Sequence, residues 1–124
     1  MELKELDICI LSRQISAKAW PIYKNMDWQT KKIIGDQWIT AIDSIGANIA
    51  EGYGRFHYLD RNKFNLNARG SLFESIHWSE LLEGRELLSK AEANEIFELF
   101  GHLQPKLNGY ISKTRTLSVQ KNNN

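Results

Sequence analysis

Apolar residues recur along this chain at steps of three and four, the period of a helix with one buried face. Ile8, Leu11, Ile15, Ala19, Ile22 and Met26 form the first stripe and predict a helix from about Leu3 to Asn25. Pro21 falls inside it, and a proline there removes an N–H and crowds the preceding turn, so a kink or an early end near Trp20 is expected. Cys9 lies beside the stripe and reads as a small core residue. Asp27 is placed to cap a second helix, from Trp28 to about Tyr53, with Ile34, Trp38, Ile42, Ile45, Ile49 and Tyr53 as its buried edge. Gly35 and Gly46 each weaken that helix by about 1 kcal/mol relative to alanine, which points to close packing at both.

Gly52, Gly54 and the run Phe56-His57-Tyr58 end the second helix or bend it. Asp60 then reads as the cap of a third, running to about Ser89. Its main stripe is Phe64, Ala68, Leu72, Ile76 and Leu82, widened by Leu66, Phe73 and Leu81. Ser89 and Glu92 have the spacing of a capping box and open a fourth helix. Its stripe is Ile96, Leu99, Leu103, Leu107, Tyr110, Ile111, Thr114 and Leu117, with a bend expected near Gly101 from Pro105. No segment alternates with period two for long enough to suggest a strand. The pattern predicts an all-α fold, an antiparallel up-down four-helix bundle over residues 1–120, with a disordered polar tail at 121–124.

Composition narrows the setting. The 124 residues, 42% hydrophobic and 25% charged, make one domain with a core of its own. A single cysteine excludes an internal disulfide and suits a reducing compartment. Glu2, Lys4, Glu5 and Asp7 do not read as a secretory signal, and no apolar run is long enough for a membrane span, so a cytoplasmic location is expected. Net charge is only +1, but the charges are segregated. Arg55, Arg61, Lys63 and Arg69 crowd one region, and Lys106, Lys113, Arg115 and Lys121 fill another. Glutamates from Glu74 to Glu98 lie between them.

The stretch from Ser44 to Arg55 is the most distinctive. Ser44, Ala47, Asn48, Glu51 and Arg55 share one face of the second helix, and Ile42, Ile45 and Ile49 share another. This stretch resembles the signature Ser-Ile-Pro-x-Asn-Ile-Ala-Glu-Gly-x-Gly-Arg of the four-helix-bundle family encoded by intervening sequences in 23S ribosomal RNA genes. A second block, Asp60, Phe64, Ala68, Gly70-Ser71-Leu72 and Glu74, looks like that family's third helix. Gly46 stands where the family most often carries proline. The resemblance implies a ring-shaped homo-oligomer, a pentamer, and no enzymatic activity. The accessory proteins of diversity-generating retroelements, which bind nucleic acid and a reverse transcriptase, are distantly similar and more basic.

Chemistry is sparse. Glu74 and His77 make a Glu-x-x-His step, half of a bundle di-metal site, but His102 has no acid three residues before it. No nucleophile has a base beside it, and Gly52-Tyr53-Gly54 does not follow a strand, so no catalytic, metal or cofactor site is expected. Asn48, Glu51, Arg55, Ser71 and Glu74 are expected to form an internal polar network between the second and third helices, or at subunit contacts. Arg55, His57, Arg61, Lys63 and Arg69 form a candidate surface for weak, salt-sensitive contacts with RNA or DNA. Trp38 falls on the core edge, while Trp20, Trp28 and Trp78 sit off the stripes and fit an interface between copies. The reading is a non-enzymatic, self-assembling bundle acting as a scaffold or binding module, with a nucleic-acid-binding accessory protein as the alternative.

Overall fold

The computed structural model describes residues 1–123, with side chains through Gln120. The tail expected at 121–124 lies outside the described side chains; only backbone, helical to Asn123, is described there. After a 3-10 turn at Leu3–Glu5 come α1 (Asp7–Lys24), α2 (28–53), α3 (Tyr58–Gly84) and α4 (Lys90–Asn123). No strand occurs among the described residues.

Contacts between the helices run in opposite order along each neighbouring pair. Lys18 reaches Glu95 while Lys106 reaches back to Asp7, so α1 and α4 are antiparallel. Tyr23 bonds Asp36 while Gly46 sits against Ser12, which orients α1 against α2. Trp38 bonds Ser79 and Gly52 faces Asn65, which orients α2 against α3. The result is the up-down four-helix bundle. Its core holds Ile15, Trp38, Ile42, Ile45, Ile49, Leu72, Phe100 and Leu103, all shielded from solvent. That apolar burial is the main stabilising term.

Several local expectations hold. The Asp27 side chain accepts from the Thr30 N–H at 2.7 Å and caps α2, and this bond holds its carboxyl below the usual range. Ser89 and Glu92 exchange side chain to backbone bonds of 3.0 and 3.1 Å, the reciprocal box that opens α4. A Cβ at Gly35 would stand 2.8 Å from Met26 Sδ, and one at Gly46 would stand 3.0 Å from Ser12 Oγ. Gly46 therefore marks close packing of α2 on α1, and Gly35 close packing on the connection before α2. The helix passes through Gly46 without a break.

Other expectations are corrected. The first helix does not end near Trp20; α1 continues through Pro21 to Lys24. The second helix carries a π segment at Lys31–Gly35 before its regular stretch. The third starts at Tyr58 with His57 as its cap, leaving Asp60 inside the first turn. It also stops at Gly84 rather than Ser89. Leu87 N–H bonds the Leu82 carbonyl at 2.8 Å and Glu86 N–H bonds that of Glu83 at 3.0 Å, the paired closure of a Schellman end. Glu86 occupies the left-handed position with φ 60°, where glycine is the usual residue.

Leu66 and Phe73 were expected to widen the core stripe of α3. They face out instead. Leu59, Leu66 and Phe73 are 66%, 39% and 51% exposed. The inward face is made by Asn62, Asn65, Ala68, Leu72, Ser75, Ser79 and Leu82. The reason lies at Gly52, where a Cβ would stand 2.9 Å from the Arg61 carbonyl and 3.1 Å from Phe64 Cβ. The two backbones approach closely there, which limits the size of the residues on the inner side of α3's first turns.

Two substitutions test this. Gly52→Ala should lower stability by about 1–3 kcal/mol, because the contact it crowds includes backbone that cannot swing aside. Glu86→Gly should raise it by about 1 kcal/mol, by relieving a left-handed side-chain position. Urea midpoints at unchanged slope would measure both. Equal, small effects would contradict the packing described.

Candidate functional site

Residues Tyr53 to Phe64 form the corner where α2 turns into α3, and several conjugated side chains gather there. Arg55 lies over the Phe64 ring at 4.7 Å, and Arg61 lies over the rings of Tyr53 and Tyr58 at 5.8 and 5.3 Å. Arg61 Nε donates to the Arg55 carbonyl at 2.6 Å, tying the first turn of α3 to the connection before it. The Tyr53 hydroxyl donates to the Met1 carbonyl. Burial pushes the Tyr110 phenol up, with Arg61 opposing and Tyr53 adding, so α4 reaches this corner too. Phe56 projects outward and meets the His57 ring edge-on at 5.0 Å.

The five residues expected to form a polar network are not joined to one another across α2 and α3. Glu51 and Arg55 form an ion pair of 2.6 Å within four residues, both about half exposed. Asn48 Nδ2 donates to the Ser44 carbonyl of its own helix at 2.9 Å. The Ser71 carbonyl accepts from Ser75 Oγ, and Glu74 accepts from Trp78 Nε1 at 3.1 Å, again within one helix. Each finds its partner locally, because a residue three or four along is nearer than the neighbouring helix. As a network linking the helices of one chain, the expectation is corrected.

The polar link between α2 and α3 is elsewhere. Trp38 Nε1 donates to Ser79 Oγ at 2.9 Å, and that hydroxyl donates onward to the Ser75 carbonyl at 2.7 Å, all buried. Asn65 Nδ2 donates to Asn62 Oδ1 at 3.3 Å, while Asn65 Oδ1 has no hydrogen-bond partner and faces Gly52. Sequence reasoning missed these residues. A signal was present: Asn62, Asn65, Ala68, Leu72, Ser75, Ser79 and Leu82 keep steps of three and four.

Of the candidate nucleic-acid contacts, Arg55, His57 and Arg61 meet at the corner. Lys63 is exposed one turn into α3, with no ion pair among the described residues, and Arg69 bonds Asn108 Oδ1 at 3.4 Å. His77 packs edge-on against Trp78, and His102 stands 3.9 Å from Glu98 on the surface. Among the described residues no group of three or more His, Cys, Asp or Glu could hold a metal ion. Among the described residues no helix is long and apolar enough to cross a membrane. Trp20 and Trp28 are exposed, and Lys32 lies over the Trp28 ring at 4.7 Å. An apolar groove of about 710 Å³ runs between α1 and α4, beside the Lys18–Glu95 pair.

The family described as 23S rRNA-intervening sequence protein matches over residues 4–109. Among solved structures, the chain is similar to a protein of unknown function from the S23 ribosomal protein family of Bacteroides thetaiotaomicron VPI-5482. The TM-score is 0.77 and the identity 22%, over 84% of this chain and 97% of that one, a likeness of fold. No curated protein matches the chain.

The two kinds of polar contact should differ sharply on mutation. Glu51→Ala should change stability by no more than about 1 kcal/mol, since exposed ion pairs contribute little. Ser79→Ala should lower it by about 1–3 kcal/mol by leaving the buried Trp38 N–H unpaired. Thermal and urea melts of the two variants would rank them. The reverse order would contradict the assignment.

Proposed function

The chain belongs to the 23S rRNA-intervening sequence protein family, and we propose that it works as a non-enzymatic, self-assembling bundle. It serves as a scaffold or binding module in the cytoplasm, built from copies of itself in a ring; the family resemblance implies five. The observation that carries this reading is the outward face of α3. Leu59, Leu66 and Phe73 recur every seven residues, so they line one seam along the helix, opposite its inward side. A seam of that period is suited to packing against another helix. Gly70 lies between Leu66 and Phe73 with nothing within 4 Å of where its Cβ would be, which leaves room for a second backbone.

The exposed Trp20 and Trp28 add apolar surface at the opposite end of the bundle. Aromatic side chains of this kind concentrate at the centres of protein interfaces. A head-to-tail contact between two different patches closes into a ring when its rotation divides a full turn, whereas a contact of one patch with itself stops at two copies. The buried thiol of Cys9 fits a reducing compartment.

Light scattering tests the reading. The expected mass is several times 14.4 kDa. Phe73→Glu and Leu66→Glu should reduce it to that of one chain while helical circular dichroism is kept, because a charge in an apolar seam cannot be desolvated. A wild-type protein that stays monomeric at tens of micromolar, a concentration at which ordinary obligate interfaces are formed, would overturn it.

A further inference from the structure

The charges of α3 and α4 have a direction that net charge conceals. From 58 to 70 the third helix carries Arg61, Lys63 and Arg69 against the single acid Asp60. From 105 to 116 the fourth carries Lys106, Lys113 and Arg115 and no acid. The stretches 71–84 and 90–104 hold Glu74, Glu80, Glu83, Glu92, Glu95 and Glu98, with Lys90 as their one lysine or arginine. Because the helices are antiparallel, the two basic halves lie together. The Arg69–Asn108 bond fixes their register and sets Arg115 level with the first turns of α3. Arg115 is seven residues beyond Asn108, on the same side of α4 as the residue that meets α3. Of the acids at this end, Glu5 Oε2 accepts from the Glu2 N–H, Glu2 pairs with Lys4, and Asp7 and Glu51 pair with Lys106 and Arg55. That leaves Lys63 and Arg115, like Asp60, without an ion pair among the described residues.

The same end carries the aromatic corner. Phe56 is 78% exposed, and the guanidinium groups of Arg55 and Arg61 lie over neighbouring rings. An outward aromatic ring beside a basic strip fits a strand whose bases are splayed: the ring takes a base face and the cations take phosphates. A duplex stacks its bases on one another and offers such a ring nothing.

We propose that this corner binds single-stranded polynucleotide, with Phe56 stacking a base and Lys63 and Arg115 holding the phosphates on either side. Phe56 and Arg115 lie off the assembly seam, and Lys63 sits at its end, between Leu59 and Leu66, so the site borders the seam.

Fluorescence anisotropy of the full chain with labelled oligonucleotides of about 16 nucleotides, the upper site size of a single-strand module, decides it. RNA and DNA strands and their duplexes are titrated at low and at physiological salt. Single strands should bind more tightly than duplexes, and the tighter of the RNA and DNA arms identifies the strand. Phe56→Ala should weaken binding by at least about fivefold and Phe56→Trp should restore it, since stacking needs a π face rather than a particular ring. Lys63→Glu combined with Arg115→Glu should abolish binding at physiological salt, while Glu80→Gln, on the acidic half, should change it little. Phe73→Glu should lose mass and keep strand binding, which separates this site from the assembly. Duplex binding as tight as single-strand binding, indifference to Phe56→Ala, or no binding at low salt would overturn the proposal.

Discussion

The close approach of α2 and α3 at Gly52 shapes the rest of the bundle. A side chain there would meet the Arg61 carbonyl at 2.9 Å, so the helices can cross only where one lacks a Cβ. Near that crossing α3 turns asparagines inward, and further along it adds serines beside Ala68, Leu72 and Leu82. Leu59, Leu66 and Phe73 are turned outward, while Leu72 and Leu82 stay in the core. The bundle is filled chiefly by α1, α2 and α4, and α3 contributes a polar, small inner face and an apolar outer one. This inversion connects a packing constraint to an unpartnered seam.

A polar inner face is stable only when its groups are satisfied. Ser75 and Ser79 do so by donating to carbonyls one turn back, each at 2.7 Å, and Ser79 also accepts from Trp38. That last bond fixes the largest core side chain of α2 against α3 and opposes slippage between them. The Glu51–Arg55 pair of the distinctive stretch lies in water and contributes little to stability. Its geometric role is larger, because Arg55 covers Phe64 and its carbonyl receives Arg61. Gly52 and Arg55 thus shape the end of one helix and the entry to the next.

Helix number, order and most caps were legible because each rests on local chemistry: Asp27, the Ser89–Glu92 box, and the isoleucine stripe of α2. The face of α3 was not. Apolar periodicity assigns the largest side chains to the core, and here Leu66 and Phe73 obey the period but point the other way. The approach at Gly52 and the Trp38–Ser79 bond, contacts between distant residues, set which face turns inward. Glu86 hid the end of α3, since a glutamate in a left-handed position gives no warning in sequence. The corner was legible as a cluster of basic residues. The stacking of Arg55 and Arg61 on rings, and the alignment of α4's basic half beside it, required the fold.

Whether α3's outer face is covered in solution is the point on which this account turns. Hydroxyl-radical footprinting of the purified protein, comparing the oxidation of Phe73 with that of Phe56, reads it directly. In a single chain the two rings are 51% and 78% exposed and should react at comparable rates. The account predicts that Phe73 is strongly protected relative to Phe56 in the wild type, and that Leu66→Glu restores its reactivity. Comparable oxidation of both rings in the wild-type protein would contradict it.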